Sequence, residues 1–146
     1  DKRTLAALEA ILRLYKDPER AREKVPTLNM IRKTQSSLNA KAKRLATRIR
    51  QELGTAFNVQ LRTGASRVGG GASPESDLPT TLVALEPKQN AFGLERLREE
   101  LLKTDPPLVG RIEGDCFCLD PRTLQANELG LTIRALKQAI HNSSSN

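Results

Sequence analysis

The chain has 146 residues, the size of a single domain, and its 38% hydrophobic and 28% charged residues are typical of a globular protein. No apolar run approaches the ~20 residues that a membrane-spanning helix needs, and two cysteines cannot form a disulfide framework. The net charge of +7 is concentrated in residues 1–53, which hold fourteen Lys and Arg against six Asp and Glu. This asymmetry indicates either a solvated helix face or a surface for a polyanion or an acidic partner.

The N-terminal third of the chain is predicted to be helical. Apolar residues recur at helical spacing over residues 5–15, and Asp17-Pro18 ends this helix because the residue before proline avoids the α region. A second, long helix is predicted to begin at Pro26 and to end before Gly54, where a left-handed residue is favoured. Its apolar stripe consists of Leu28, Ile31, Leu38, Ala42, Leu45, Ile49 and Leu53.

Four cations lie on the opposite arc of this predicted helix, and we call them the basic face: Lys33, Lys41, Arg44 and Arg48. They are the candidates for RNA contact, since lysine and arginine neutralise phosphates. A solvated helix face explains them equally simply. The chain has three Phe, one Tyr and no Trp, so stacking of bases on an aromatic platform is not expected.

The pattern changes to period two after residue 54. Residues 57–61 and 80–86 predict two strands, with a loop rich in glycine between them, and residues 94–102 predict a helix. Residues 108–113 and 116–119 predict a hairpin, and a last helix follows over residues 129–140. The sequence therefore predicts an α+β fold, in which a small, mostly antiparallel sheet of about four strands has helices packed on one face and a long N-terminal helical segment before it.

Residues that could carry catalysis are few. Cys116 and Cys118 fall on the same face of a predicted strand and are expected to be small buried core residues. His141 is the only histidine, which leaves a zinc site or a nucleophile–histidine pair without the necessary ligands. The residues alone therefore indicate no self-sufficient active site and no metal site.

Several sequence blocks resemble the C-terminal segment of bacterial selenocysteine synthase, the L-seryl-tRNA(Sec) selenium transferase. The blocks keep the same order and similar spacing across nearly the whole chain, and the first and the Gly-Arg-Ile block are the most specific. They are Asp1-Lys2 with residues 4–10, Pro26-Thr27-Leu28, Val68 to Gly71, residues 107–113, and Leu119-Asp120 with Arg122-Thr123.

The resemblance implies a piece of a fold-type I enzyme that uses pyridoxal 5'-phosphate. In that family the Schiff-base lysine lies in a large domain upstream of the position of Asp1, and Lys2 falls beyond it. The chain alone is therefore expected to be inert and to bind no cofactor. The parent enzyme is expected to be a cytoplasmic homo-oligomer, with no membrane contact, that converts seryl-tRNA(Sec) to selenocysteinyl-tRNA(Sec) with selenophosphate.

The same resemblance sets the expected domain organisation and site. Residues 1–25 would be a helix leading in from the missing N-terminal large domain, residues 26–142 the small C-terminal domain, and residues 143–146 a disordered tail. Substrates that carry phosphates need cations and backbone N–H groups. The candidates near the substrate are Arg67, Gly69, Gly70, Gly71, Arg111 and Arg122.

Three other interpretations stay open. Each of these arginines could be a surface or structural residue. The basic face could make the chain an independent RNA-binding module. The same scaffold could also belong to a related pyridoxal-phosphate lyase that acts on a small molecule.

Overall fold

The computed structural model describes residues 1–68, 77–88, 93–125 and 127–144. They divide into two compact units, one before and one after the boundary between Thr34 and Gln35. The predicted start of the small domain at residue 26 stays a prediction. Among the described residues, no helix has both the length and the apolar character needed to cross a membrane.

The first unit contains three helices, α1 (Lys2–Tyr15), α2 (Pro18–Lys24) and α3 (Pro26–Arg32). Asp1 and Asp17 cap α1 and α2, since their carboxylates accept hydrogen bonds from the backbone N–H groups of Arg3 and Arg20. A proline stands at the first position of both α2 and α3, where its missing N–H costs nothing. Ala21 is the only buried residue of this unit, so the three helices enclose almost no core.

The prediction of one long helix from residue 26 to 53 is wrong. The chain leaves the helical conformation at Lys33 (φ −58°, ψ 126°), and α4 (Gln35–Leu53) begins as a separate element. The six residues between Ile31 and Leu38 are all polar, so no apolar side chain holds a turn there, and serine and threonine favour helix ends.

The expected left-handed conformation at Gly54 is also wrong. Gly114 is the only described residue with positive φ. A Cβ at Gly54 would lie 2.4 Å from the carbonyl oxygen of Arg50, so close backbone approach explains the glycine instead.

The second unit is built on a four-stranded antiparallel sheet, which confirms the predicted fold class. Its strands are β1 (Phe57–Arg67), β2 (Asp77–Pro87), β3 (Arg111–Glu113) and β4 (Cys116–Leu119), in the order β1-β2-β4-β3. The long β1–β2 hairpin runs in register from Phe57 opposite Pro87 to Arg67 opposite Asp77. Gly114 (φ +57°) makes the tight turn of the predicted β3–β4 hairpin.

Three helices pack on one face of the sheet: α4, α5 (Leu94–Leu102) and α6 (Leu129–Ser144). α4 covers β1 and β2, α5 contacts β4, and α6 contacts both helices. Their apolar stripes meet the inward residues of the strands in one core, which includes Leu45, Ile49, Leu85, Phe117 and Leu136. The other face of the sheet carries a second buried cluster of Leu82, Ala84, Cys116 and Cys118.

The end of α6 differs from the predicted tail. Residues 143 and 144 are helical, and the side chain of Ser143 is buried. Residues 145 and 146 lie outside the described part of the chain.

Candidate functional site

A buried polar cluster lies at the far end of the β1–β2 hairpin, and Asp120 is its central acceptor. The carboxylate of Asp120 accepts hydrogen bonds from Ser66 Oγ (2.5 Å), Thr80 Oγ1 (2.9 Å) and the backbone N–H of Arg122 (3.0 Å). Ser66 lies on β1 and Thr80 on β2, whereas Asp120 directly follows β4. One carboxylate therefore ties both strands of the hairpin to the end of β4.

Arg122 completes this cluster from the buried side. Arg122 is only 5% exposed. Its Nε donates to Ser66 Oγ (2.9 Å), and its Nη2 donates to the carbonyl oxygen of Pro79 (2.8 Å). A buried guanidinium is tolerated only where hydrogen bonds and an opposite charge replace its hydration. The side chain of Arg122 is therefore engaged in holding β1 and β2 together.

Arg111 binds the same part of the hairpin from β3. Its Nη2 donates to the carbonyl oxygen of Ala65 (2.9 Å), and its Nε lies 2.6 Å from Glu113 Oε1. Ala65 and Pro79 are partners in the β1–β2 register. Arg111 and Arg122 thus bind carbonyl groups of two residues that face each other across the hairpin, one on each strand.

Arg67 is the exposed member of the group. It stands opposite Asp77 in the last pair of the hairpin, and its Nε donates to Asp77 Oδ1 (3.3 Å). The side chains of both residues are largely exposed, so this ion pair is easily exchanged for another anion. Gly69, Gly70 and Gly71 lie outside the described residues.

The structure therefore brings the three predicted arginines to one place, the last three residue pairs of the β1–β2 hairpin. Sequence reasoning missed Ser66, Thr80 and Asp120. A signal was available, because an aspartate two residues before a backbone N–H forms a local turn, as Asp120 does with Arg122. The contacts with Ser66 and Thr80 span 54 and 40 residues, and no local pattern encodes them.

The four residues of the basic face do not form one surface on one helix. Lys33 ends α3 in the first compact unit, whereas Lys41, Arg44 and Arg48 lie on α4. Lys41 is half-buried and its Nζ donates to the carbonyl oxygen of Leu124. Arg44 and Arg48 are exposed, and Arg48 Nε donates to Glu52 Oε1 at 3.0 Å.

The described residues do not fit pyridoxal phosphate. Every lysine of the chain is exposed or half-buried, whereas a Schiff-base lysine needs a desolvated pocket. Within the described ranges, no group of three or more His, Cys, Asp or Glu residues could hold a metal ion. We therefore derive no chemical step through a cofactor in this chain.

The two cysteines are buried as predicted and are not disulfide-bonded. Burial raises the pKa of the Cys116 thiol, and burial together with the nearby carboxylate of Glu113 raises that of Cys118. Because the thiolate is the reactive form, both side chains are poor nucleophiles at neutral pH. Their role is to fill the second buried cluster of the sheet.

Comparison with known proteins gives one consistent family. The family model described as SelA, L-seryl-tRNA selenium transferase, matches residues 1–125. The L-seryl-tRNA(Sec) selenium transferase of Maridesulfovibrio salexigens is 54% identical over 140 residues, which is 96% of this chain and 30% of that protein. The transferases of Solidesulfovibrio magneticus and Nitratidesulfovibrio vulgaris are each 55% identical, over 95% and 96% of this chain and 30% and 29% of their own lengths.

Proposed function

The chain belongs to the L-seryl-tRNA selenium transferase family, and we propose that it is the C-terminal domain of an enzyme that converts seryl-tRNA(Sec) to selenocysteinyl-tRNA(Sec) with selenophosphate. The observation that carries this proposal is the identity of 54–55% with three such transferases over nearly the whole chain. The chain spans about 30% of the length of these relatives. The enzyme's activity accordingly depends on a remainder that this chain lacks.

The remainder would hold pyridoxal phosphate and its Schiff-base lysine. This assignment is supported by the burial of the lysines in the present chain, none of which lies in a desolvated position. The complete enzyme would act as a homo-oligomer in the cytoplasm, with tRNA(Sec) as its macromolecular substrate. The present chain alone would be inert, because it spans only about 30% of the length of the relatives that carry the activity.

The polar cluster suggests distinct roles for the three arginines. Arg67 is the residue that would contact substrate phosphate, because its side chain is exposed and its partner Asp77 is exposed too. Arg111 and Arg122 would be positioning residues, since their donors bind backbone carbonyls of the hairpin. Gly69, Gly70 and Gly71 remain candidates for backbone contact with substrate.

A chimeric enzyme tests the function. The matched 140-residue part of the Nitratidesulfovibrio vulgaris transferase is replaced by this chain, and formation of selenocysteinyl-tRNA(Sec) from seryl-tRNA(Sec) and selenophosphate is measured. We expect activity from the chimera and none from this chain alone. A folded chimera with bound cofactor and no activity would contradict the proposal.

The same chimera separates the alternatives. A small-molecule lyase would eliminate from free serine or a related amino acid and would leave seryl-tRNA(Sec) unchanged.

Within the chimera, Arg67→Ala should raise the KM for a phosphate-bearing substrate, whereas Asp77→Ala should not. An unchanged KM in Arg67→Ala would remove Arg67 from the site. The break between α3 and α4 disfavours an independent RNA-binding module built on the basic face, because the four cations do not lie on one continuous helix.

A further inference from the structure

α1 carries a continuous apolar surface that the other two helices of its unit leave exposed. Of its residues none is buried, although its sequence is strongly amphipathic. Five large apolar side chains lie on one arc of about 120° at helical spacing and are 50–66% exposed: Leu5, Leu8, Ile11, Leu12 and Tyr15. We call this arc the α1 apolar face.

The α1 apolar face continues into a groove at the end of the helix. Tyr15 lines this groove together with Pro18, Ala21, Leu28 and Ile31, and its volume is about 240 Å³. A space of this size is large enough for one bulky apolar side chain of a partner. The largest apolar patch on a typical monomer covers about 300–600 Å² and is often functional, and five large side chains that are at least half exposed form a patch on this scale.

Charged residues surround this surface and indicate the chemistry of the partner. Arg22 and Arg32 flank the groove, and both lie within ion-pair distance of the exposed carboxylate of Glu19. The unit of residues 1–34 holds nine Lys and Arg against five Asp and Glu. Two copies of such a unit would repel each other, so an apolar surface with a carboxylate rim is the better complement.

We infer that the α1 apolar face is the docking surface for the part of the full-length transferase that lies outside this chain. The inference rests on the proposed function, because that function supplies the occupant. The relatives are more than three times as long as this chain, and their similarity to it includes α1. A helix of 14 residues without buried side chains is marginal by itself, so covering this face would also stabilise α1.

Thiol labelling measures whether this face is covered. Leu8→Cys and, as a second position, Leu12→Cys are made in the chimera and in this chain alone. Arg13→Cys, on the charged arc of the same helix, is the matched control. The native cysteines are buried and their raised pKa makes them slow to react, which keeps the background low.

We expect labelling at Leu8→Cys and Leu12→Cys to be at least about tenfold slower in the chimera than in this chain alone. Labelling at Arg13→Cys should differ by less than about twofold between the two proteins. Equal rates at Leu8→Cys and Leu12→Cys in both proteins would overturn the inference. Protection that appears in this chain alone and rises with its concentration would overturn it too, in favour of pairing between two copies.

The labelling rates do not depend on catalysis. A chimera that is inactive but protects Leu8→Cys would retain the docking surface and contradict the proposed function. A chimera that is active but labels rapidly at Leu8→Cys would support the proposed function and overturn the docking surface.

Discussion

Asp120 links three segments of the chain in addition to forming a local turn. It accepts hydrogen bonds from a side chain on β1, a side chain on β2 and the backbone of Arg122, whose guanidinium is buried in the same cluster. Sequence placed Arg122 near substrate, but the structure gives its hydrogen bonds to Ser66 and Pro79. An arginine that the sequence suggests as a substrate contact can thus serve instead to stabilise the β1–β2 hairpin through hydrogen bonds.

Asp120→Ala should destabilise the chain by about 3 kcal/mol, because three hydrogen bonds are lost and a buried guanidinium loses the carboxylate of its cluster. Chemical denaturation measures the change. Asp77→Ala is the matched control, since the Arg67–Asp77 pair is exposed, and it should cost no more than about 0.5 kcal/mol. A similar small change in both variants would mean that the cluster contributes little to stability.

Gly110 illustrates close packing at a single residue. A Cβ at this position would lie 2.4 Å from Cζ of Phe117 and 2.8 Å from the carbonyl oxygen of Cys118. Gly110→Ala should therefore destabilise the chain by about 1–3 kcal/mol. Gly130→Ala is the control, because a Cβ there meets no atom within 4 Å and the residue lies in α6. Alanine favours helix, so that variant should be more stable by roughly 0.5–1 kcal/mol, and thermal unfolding measures both changes.

At the scale of elements, local patterns located most helices and strands. The predicted bounds of α5 and β4 agree with the structure, because leucine spacing and a short apolar run between turn residues are local signals. The break between α3 and α4 was missed since Leu28 and Ile31 happen to continue the helical phase of Leu38 and Leu45. The β2–β4 pairing joins strands that are not consecutive, and no local signal specifies it.

α4 packs on the sheet and contributes several side chains to the main core, in which Leu45 is fully buried. Leu45→Ala should destabilise the second unit by about 2–5 kcal/mol, through lost burial and the cavity left behind. Thr47→Ala, at an exposed position of the same helix, should change stability by less than about 0.5 kcal/mol. Urea unfolding followed by circular dichroism distinguishes the two variants. An unchanged midpoint for Leu45→Ala would contradict the packing described here.

Glu52 links α4 to α6 and makes this link sensitive to pH. Hydrogen bonds from Lys137 (2.7 Å) and Arg48 (3.0 Å) hold the pKa of Glu52 below its ordinary value. A carboxylate with a lowered folded-state pKa stabilises the fold above its unfolded pKa, and this contribution is lost as pH falls through the folded value.

Glu52→Gln should therefore be less stable than the parent at pH 7, and the difference should shrink as the pH falls below about 4. Urea midpoints at pH 7 and at about pH 3 measure it. Lys137→Met removes the same link from the other side and should show the same dependence on pH. A difference that is equal at both pH values would assign the effect to packing rather than to charge.

At the scale of the whole molecule, the sequence predicted the fold class and the family but not the way the charges are distributed. Helical periodicity placed Lys33 with three cations of α4, whereas the structure puts it at the end of α3 in the other compact unit. Periodicity assigns angles within one continuous helix, so it fails where the helix is interrupted. Because the helix is interrupted between α3 and α4, the four cations do not form the single basic stripe on which the RNA-binding hypothesis is based.

The isolated chain should bind tRNA weakly and without preference for tRNA(Sec). On α4, Lys41 donates to the carbonyl oxygen of Leu124 and Arg48 donates to the carboxylate of Glu52. Fewer cations are therefore available to bind phosphates than in a stripe of four adjacent cations. We expect a log–log salt dependence of binding with a slope no steeper than about −2, because few phosphates are neutralised. Arg44→Glu should weaken this binding further, while Lys103→Glu, an equal change of charge at the end of α5, should affect it less. Titration of labelled tRNA(Sec) and a control tRNA at low and moderate salt measures both the slope and the preference. Tight binding that prefers tRNA(Sec) and persists at moderate salt would mean that this domain recognises the substrate by itself.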